Sequence, residues 1–162
     1  MTIIVYQDEK LYTDTTVYTD YSSELPMQKW SYAGNFVTLF AGTMESITHF
    51  MWPAEVPKPA VIEMAAVQMS KTGAVRYMEN DQAFLEVMIR DKMQPVFFGN
   101  NALCTVAKNY LNSKYSWDKP LMIEMVEAGI FQAVVEISVT DGLHYFHDMN
   151  GSSCLNLNPA LQ

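Results

Sequence analysis

The chain has 162 residues, of which 49% are apolar and 12% aromatic, enough for one domain with a substantial core and unlike a solvated coil. Its 18 acidic against 10 basic residues give a formal net charge of -8, so the basic stripe that nucleic acid requires is absent. No apolar run has the length of a membrane helix, and the first residues carry neither the basic region nor the cleavage site of a secretory signal. A cytoplasmic protein that does not engage membranes is the expectation. Cys104 and Cys154 lie far apart, make no disulfide framework and are expected as free thiols.

No linker divides the chain. Residues 1–148 are expected to form a single domain, and the small polar residues over 149–162 a loosely held tail. Thr2-Ile3-Ile4-Val5-Tyr6 is β-branched and aromatic and reads as a strand. Gln7-Asp8-Glu9-Lys10 turns the chain, Leu11-Tyr12-Thr13 returns, and Thr15 to Thr19 continues extended. A second strand pair follows, Lys29 to Tyr32 and Phe36 to Phe40, joined at Ala33-Gly34-Asn35. Thr43 caps a short helix with Ile47, Phe50 and Met51 on one face, and Pro53 to Pro59 ends it. Ala65 to Met69 and Ala74 to Met78 flank the hairpin loop Ser70-Lys71-Thr72-Gly73. Phe84 to Ile89 and Val96 to Phe98 are further apolar runs. Leu103, Val106, Ala107, Tyr110 and Leu111 mark the clearest helix. A second helix is expected to start from a Ser116 cap, with Pro120 in its first turn and Leu121, Met122, Met125, Val126 and Ala128 along one side. The hairpin Ala133 to Val139 and Leu143 to Phe146 closes the chain around Asp141-Gly142. Grouped strands and helices in this order predict an α+β fold with antiparallel sheets covered by helices.

Thr2 is the most suggestive residue. Initiator methionine is commonly removed before a small side chain such as threonine. The Thr2 hydroxyl would then stand beside its own α-amine, whose pKa of about 8 leaves a neutral base available near pH 7. Taken alone this means little, since many cytosolic chains begin Met-Thr.

The surrounding pattern extends it. Thr2-Ile3-Ile4-Val5, then Tyr12-Thr13-Asp14, then Lys29-Trp30, then Val37 to Ser46 through Ala41-Gly42-Thr43, resembles the proteasome β-subunit family and most of all HslV, the peptidase of a bacterial two-component protease. These are N-terminal nucleophile (Ntn) hydrolases. The hairpin Val67 to Met78 and the turn Phe98-Gly99-Asn100-Asn101-Ala102 also fall in the family's order. The resemblance spans Thr2 to Phe146 as a series of short matches. It implies a four-layer αββα sandwich and a threonine peptidase. Thr2 would be the nucleophile and its α-amine the base. Lys29 would favour the alkoxide electrostatically, with Asp14 orienting Lys29. The Gly42 N–H would donate to the oxyanion, and Met44 would line the substrate pocket. It further implies a peptide or unfolded-protein substrate, a homo-oligomer and a separate ATPase unfoldase, since no phosphate-binding loop is present in this chain.

Two departures stand out. Asn100 occupies the place of a serine in the family's Gly-Ser-Gly turn. Ala128 to Gln132 supplies no carboxylate where the family has an aspartate after its last helix. The helices after Met44 are also abbreviated. A catalytically inactive relative with an assembly or binding role, of a minimal size that a phage would carry, therefore stays open, as does an α+β binding domain unrelated to the family. His144 and His147 would point to opposite faces of a strand and make a poor metal pair; no metal or cofactor is implied.

Overall fold

Two consecutive left-handed residues set the first hairpin. In the computed structural model, which describes residues 2–14, 16–18, 24–26, 30–33, 35–99, 101–139 and 142–156, β1 (Ile4–Gln7) and β2 (Lys10–Asp14) are joined by Asp8 and Glu9 at φ 53° and 60°. A tight type I′ turn needs that geometry, and its twist matches the strands. Neither residue is glycine, so the turn is held from outside. Asp8 N–H donates to Lys92 O at 2.6 Å, and the Lys92 ammonium pairs with the Glu9 carboxylate.

The remaining elements follow the expected order with local differences. β3 (Thr16–Tyr18) and β4 (Glu24–Pro26) make a separate two-stranded ribbon. β5 (Trp30–Ala33) and β6 (Phe36–Gly42) precede α1 (Met44–Met51). β7 (Met64–Ser70), β8 (Val75–Glu79), β9 (Leu85–Glu86) and β10 (Val96–Phe98) come next. α2 (Ala102–Ser113) and α3 (Leu121–Glu127) lead to β11 (Ala133–Ser138), β12 (Leu143–Asp148) and β13 (Gly151–Asn156).

The strands assemble into two larger antiparallel sheets, ordered β10-β1-β2-β11-β12-β13 and β5-β6-β7-β8-β9. Side chains alternate between faces along each strand, so each sheet has two surfaces to cover. Ile4, Tyr6, Leu11, Val135 and Ile137 meet Val37, Leu39, Val67, Met69 and Val75 between the sheets. Ile3, Val5, Tyr12 and Val134 point the other way, onto Ala107 of α2 and Leu121, Met122, Met125 and Val126 of α3. The outer face of the second sheet packs Phe40, Met64 and Met78 against Ile47 and Met51 of α1. The result is the expected four-layer αββα sandwich. Both faces of β1 are covered, which is why Ile4-Val5-Tyr6-Gln7 is buried throughout.

Three sequence expectations need correction. Ser116 does not cap α3. Pro120 is the residue that precedes it and offers no side-chain cap, while the Ser116 hydroxyl and N–H bond the Glu124 carboxylate instead. Trp117, at φ 66°, turns the chain between Ser116 and the helix and sets Ser116 too far back. The apolar run Phe84 to Ile89 yields only the short β9, with Leu85 69% and Met88 83% exposed. Residues 151–156, expected within a loosely held tail, form β13 and pair along the whole of β12. That strand satisfies the backbone edge that β12 would otherwise present to solvent. No helix among the described residues is long and apolar enough to cross a membrane.

Candidate active site

The backbone of residues 2 and 3 is fixed from two sides. Ile3 N–H donates to Asp14 Oδ1 at 3.0 Å, and Asp14, at the end of β2, is only 4% exposed. A carboxylate accepting a buried backbone N–H is a strong, charge-assisted anchor. From the other side, Asn101 Nδ2 donates to Thr2 O at 2.7 Å. Asn101 is also the N-cap of α2: its Oδ1 accepts from Cys104 N–H at 3.0 Å. One amide therefore uses its acceptor on the helix and its donor on the start of the chain.

Gly42 ends β6 at φ 130°, a backbone state that L side chains rarely adopt. Thr43 follows as the N-cap of α1, its Oγ1 accepting from Ser46 N–H at 3.3 Å and its own N–H donating to Glu63 O at 2.9 Å. The buried Ser46 Oγ accepts from Glu63 N–H at 2.9 Å, so the strand-to-helix turn is stitched to the start of β7. This turn borders a cleft of about 380 Å³ lined by Gly42, Thr43, Glu63, Tyr77, Glu79 and Asn101 among others. Asn101 thus belongs both to the Thr2 anchor and to the cleft that Gly42 also lines. Glu63 and Glu79 are both acidic lining residues. Burial and the hydrogen bond donated to Glu79 at 2.7 Å raise the Tyr77 pKa, so its phenol stays neutral.

Of the residues singled out in the sequence, Gly42 lines the cleft; Thr2 and Asp14 are not among its lining residues, Thr2 being tied to it through Asn101 and Asp14 to the backbone of Ile3. Met44 is exposed on the first turn of α1 and is not among the residues lining the cleft. Lys29 and Asn100 lie outside the described residues. Gln132, where a family carboxylate is missing, is exposed. Sequence reasoning passed over Asn101. Its signal was available: an asparagine immediately before the apolar Ala102-Leu103-Cys104 run is a strong N-cap pattern. Asn101→Asp should keep the cap and lose the donor to Thr2 O. The expected result is little change in thermal midpoint alongside a marked loss of any Thr2-dependent activity. Equal activity in the two proteins would show that the bond to Thr2 O has no functional weight.

The paired histidines divide as period two predicts. His144 faces the inter-sheet core, its ring centroid 5.6 Å from that of Trp30, with a buried Nδ1 that has no hydrogen-bond partner among the described residues. His147 is on the opposite face. Its Nδ1 lies 2.5 Å from Ser152 Oγ and its Nε2 3.7 Å from Glu136 Oε1. Burial lowers the His144 pKa below its ordinary 6.5. For Glu136, burial acts upward but is outweighed by the neighbouring His147 ring and by the hydrogen bond that Tyr12 Oη donates at 3.0 Å; its carboxyl is held below the ordinary value. Both groups bind protons more readily in the unfolded chain, so both make acid destabilising. The loss due to His144 begins as pH falls below about 6.5, and that due to Glu136 only below the ordinary glutamate range, about 4.3. In His144→Phe, the decline in urea midpoint between pH 7 and pH 5 should shrink. An unchanged decline would remove His144 as its source.

Two facing antiparallel sheets with helices outside both are the architecture of the Ntn-hydrolase type, and the protein has that fold. Among solved structures, the Gly-1 mutant of Anbu from Hyphomicrobium sp. strain MC1 is similar over 98% of this chain and 87% of its own, with a TM-score of 0.54 at 9% identity. Anbu, the ancestral beta-subunit, from Yersinia bercovieri matches over 98% and 88% with a TM-score of 0.49 at 9% identity. Eukaryotic HslV from Trypanosoma brucei matches over 81% and 93% with a TM-score of 0.45 at 14% identity. The first likeness shows a shared fold; the other two fall below the similarity that carries an argument. No family model and no curated sequence matches the chain. At these identities fold is what is shared, and chemistry must be argued from the site.

Proposed function

We propose that the chain is a proteasome/HslV-like threonine peptidase, with Thr2 as the N-terminal nucleophile after Met1 is removed. The observation that carries this reading is the double anchor at its start, Asp14 on Ile3 N–H and Asn101 on Thr2 O, beside the cleft that Gly42 borders. An N-terminal nucleophile works only if its backbone is held while its amine and hydroxyl stay available, and these two bonds use neither group.

In this mechanism the neutral α-amine of Thr2 takes the Oγ1 proton as Oγ1 attacks the substrate carbonyl. Lys29 stabilises the alkoxide, Asp14 orients Lys29, and the Gly42 N–H receives the oxyanion. The ammonium returns its proton to the leaving amine, giving an ester at Thr2. Water, deprotonated by the same amine, then hydrolyses it. In the sequence Asn100 occupies the family's serine place and would assist the amine, and Met44, outside the cleft lining, would meet only a substrate that extends beyond the cleft. Substrates would be peptides or unfolded proteins, handled in the cytoplasm by a homo-oligomer served by a separate ATPase.

The test is intact mass followed by labelling. Untagged protein from a bacterial host should lack Met1 and form a stoichiometric adduct at Thr2 with a threonine-directed covalent inhibitor. Retained Met1 locks the α-amine in a peptide bond. That result, or labelling elsewhere, would overturn the peptidase reading and leave an assembly or binding role.

A further inference from the structure

At the opposite end of β1 from Thr2, the α2–α3 connection folds over Gln7 and encloses a second cavity, of about 240 Å³. Its floor is polar but saturated. Gln7, 2% exposed, donates from Nε2 to Met93 O at 2.8 Å and to Tyr115 Oη at 2.9 Å, and accepts at Oε1 from Leu121 N–H at 2.9 Å. Tyr115 Oη in turn donates a hydrogen bond to Lys119 O at 2.5 Å. Neither side chain has a donor left for an anion. The Lys119 ammonium is engaged by the Glu127 carboxylate at 2.5 Å.

The wall and mouth have a different character. The Trp117 ring packs against Tyr115 at a tilt of 46° with centroids 4.6 Å apart, and Trp117 remains 52% exposed. It sits at φ 66°, where a bulky residue is strained and glycine would be relaxed. This strained, half-exposed tryptophan lines the cavity beside Tyr115. Asp8 and Asp118 supply negative charge at the mouth; Lys10 lies 3.8 Å from Asp8, and no cation pairs with Asp118 among the described residues. The volume is below that of a typical small-molecule site, about 300 Å³ or more, and suits a single side chain.

We propose that this cavity binds an arginine side chain presented by a peptide segment, its guanidinium stacked on Trp117 and paired with Asp118 and Asp8. A planar, weakly hydrated cation with an apolar stem matches an aromatic wall, two carboxylates and a floor without donors. The proposal is independent of the Thr2 chemistry.

N-acetyl-arginine amide is titrated into the full chain, with the Trp117 indole N–H followed by NMR and its neutral isostere N-acetyl-citrulline amide as control. The indole resonances of Trp30 and Trp52 report that the fold is intact. The arginine probe should give a saturable shift at Trp117 and the citrulline probe a much weaker one. Asp118→Asn should weaken arginine binding roughly two- to five-fold. Equal responses to the two probes, an unchanged affinity in Asp118→Asn, or no saturable shift in the millimolar range would each overturn the assignment.

Discussion

Gly42→Ala should cost several kcal/mol of folding stability or prevent folding altogether. Two independent penalties meet at this position. The backbone is at φ 130°, where a non-glycine residue carries about 1–3 kcal/mol of strain. An added Cβ would also sit inside the van der Waals envelope of Glu63 O and 2.5 Å from Met64 Cα. Both are backbone atoms, so no rotamer change relieves the clash. Glu63 O is held by Thr43 N–H, and Met64 is the register partner of Gly42 across β6 and β7. Overpacking of this kind adds about 1–3 kcal/mol, and the sum is a large part of the ~5–15 kcal/mol that a domain has. Gly129→Ala is the control. It also has a positive φ, 79°, and nothing within 4 Å of the added atom. Its urea midpoint should fall far less. Equal losses in the two variants would show that φ alone matters and that close approach of β6 to β7 does not. The same clash would displace the turn where Gly42 lines the cleft, so under the proposed function activity should fall with stability.

The parts of the fold that could be read from the chain are those with local physics. β1, β2 and the β7–β8 hairpin are short β-branched, aromatic or apolar runs bounded by turn residues, and α2 repeats its apolar face at helical spacing; each declares itself within about ten residues. Pairing between distant strands does not. That β10 lies against β1, with Ile4 opposite Phe98, follows from packing both sheets around one core and leaves no mark on either segment. β13 was missed because Gly151-Ser152-Ser153 has poor strand propensity; it is a strand because β12 offers it an edge. Ser116 looked like a helix cap because capping was judged by residue type, whereas Trp117 adopts a left-handed turn that composition does not foretell. The site shows the same division. Thr2, Asp14 and Gly42 were singled out through spacing and through the family resemblance. Asn101 was not, because its bond to Thr2 O spans 99 residues of sequence and its local signal reads only as a cap.

Thr2→Ala should abolish peptide hydrolysis while leaving the fold untouched, and that separation is what makes it decisive. The described contact at Thr2 is made by its backbone carbonyl, which alanine retains, so Asn101 keeps its partner and the start of β1 stays anchored. Thermal and urea midpoints should stay within about 0.5 kcal/mol of the parent. Alanine is also small enough for Met1 to be removed, so the free α-amine is preserved. What disappears is the hydroxyl alone. Loss of a covalent nucleophile costs on the order of 10⁴-fold or more in turnover, measured as hydrolysis of fluorogenic peptides by equal amounts of folded protein. Thr2→Ser restores the hydroxyl without the methyl group and should retain measurable activity. A Thr2→Ala protein that hydrolyses peptides as fast as its parent would place the chemistry elsewhere. If parent and variant are both inactive with Met1 removed in each, the fold has been kept without the reaction, and the departure after α3, where Gln132 is exposed and no carboxylate follows the helix, becomes its physical explanation.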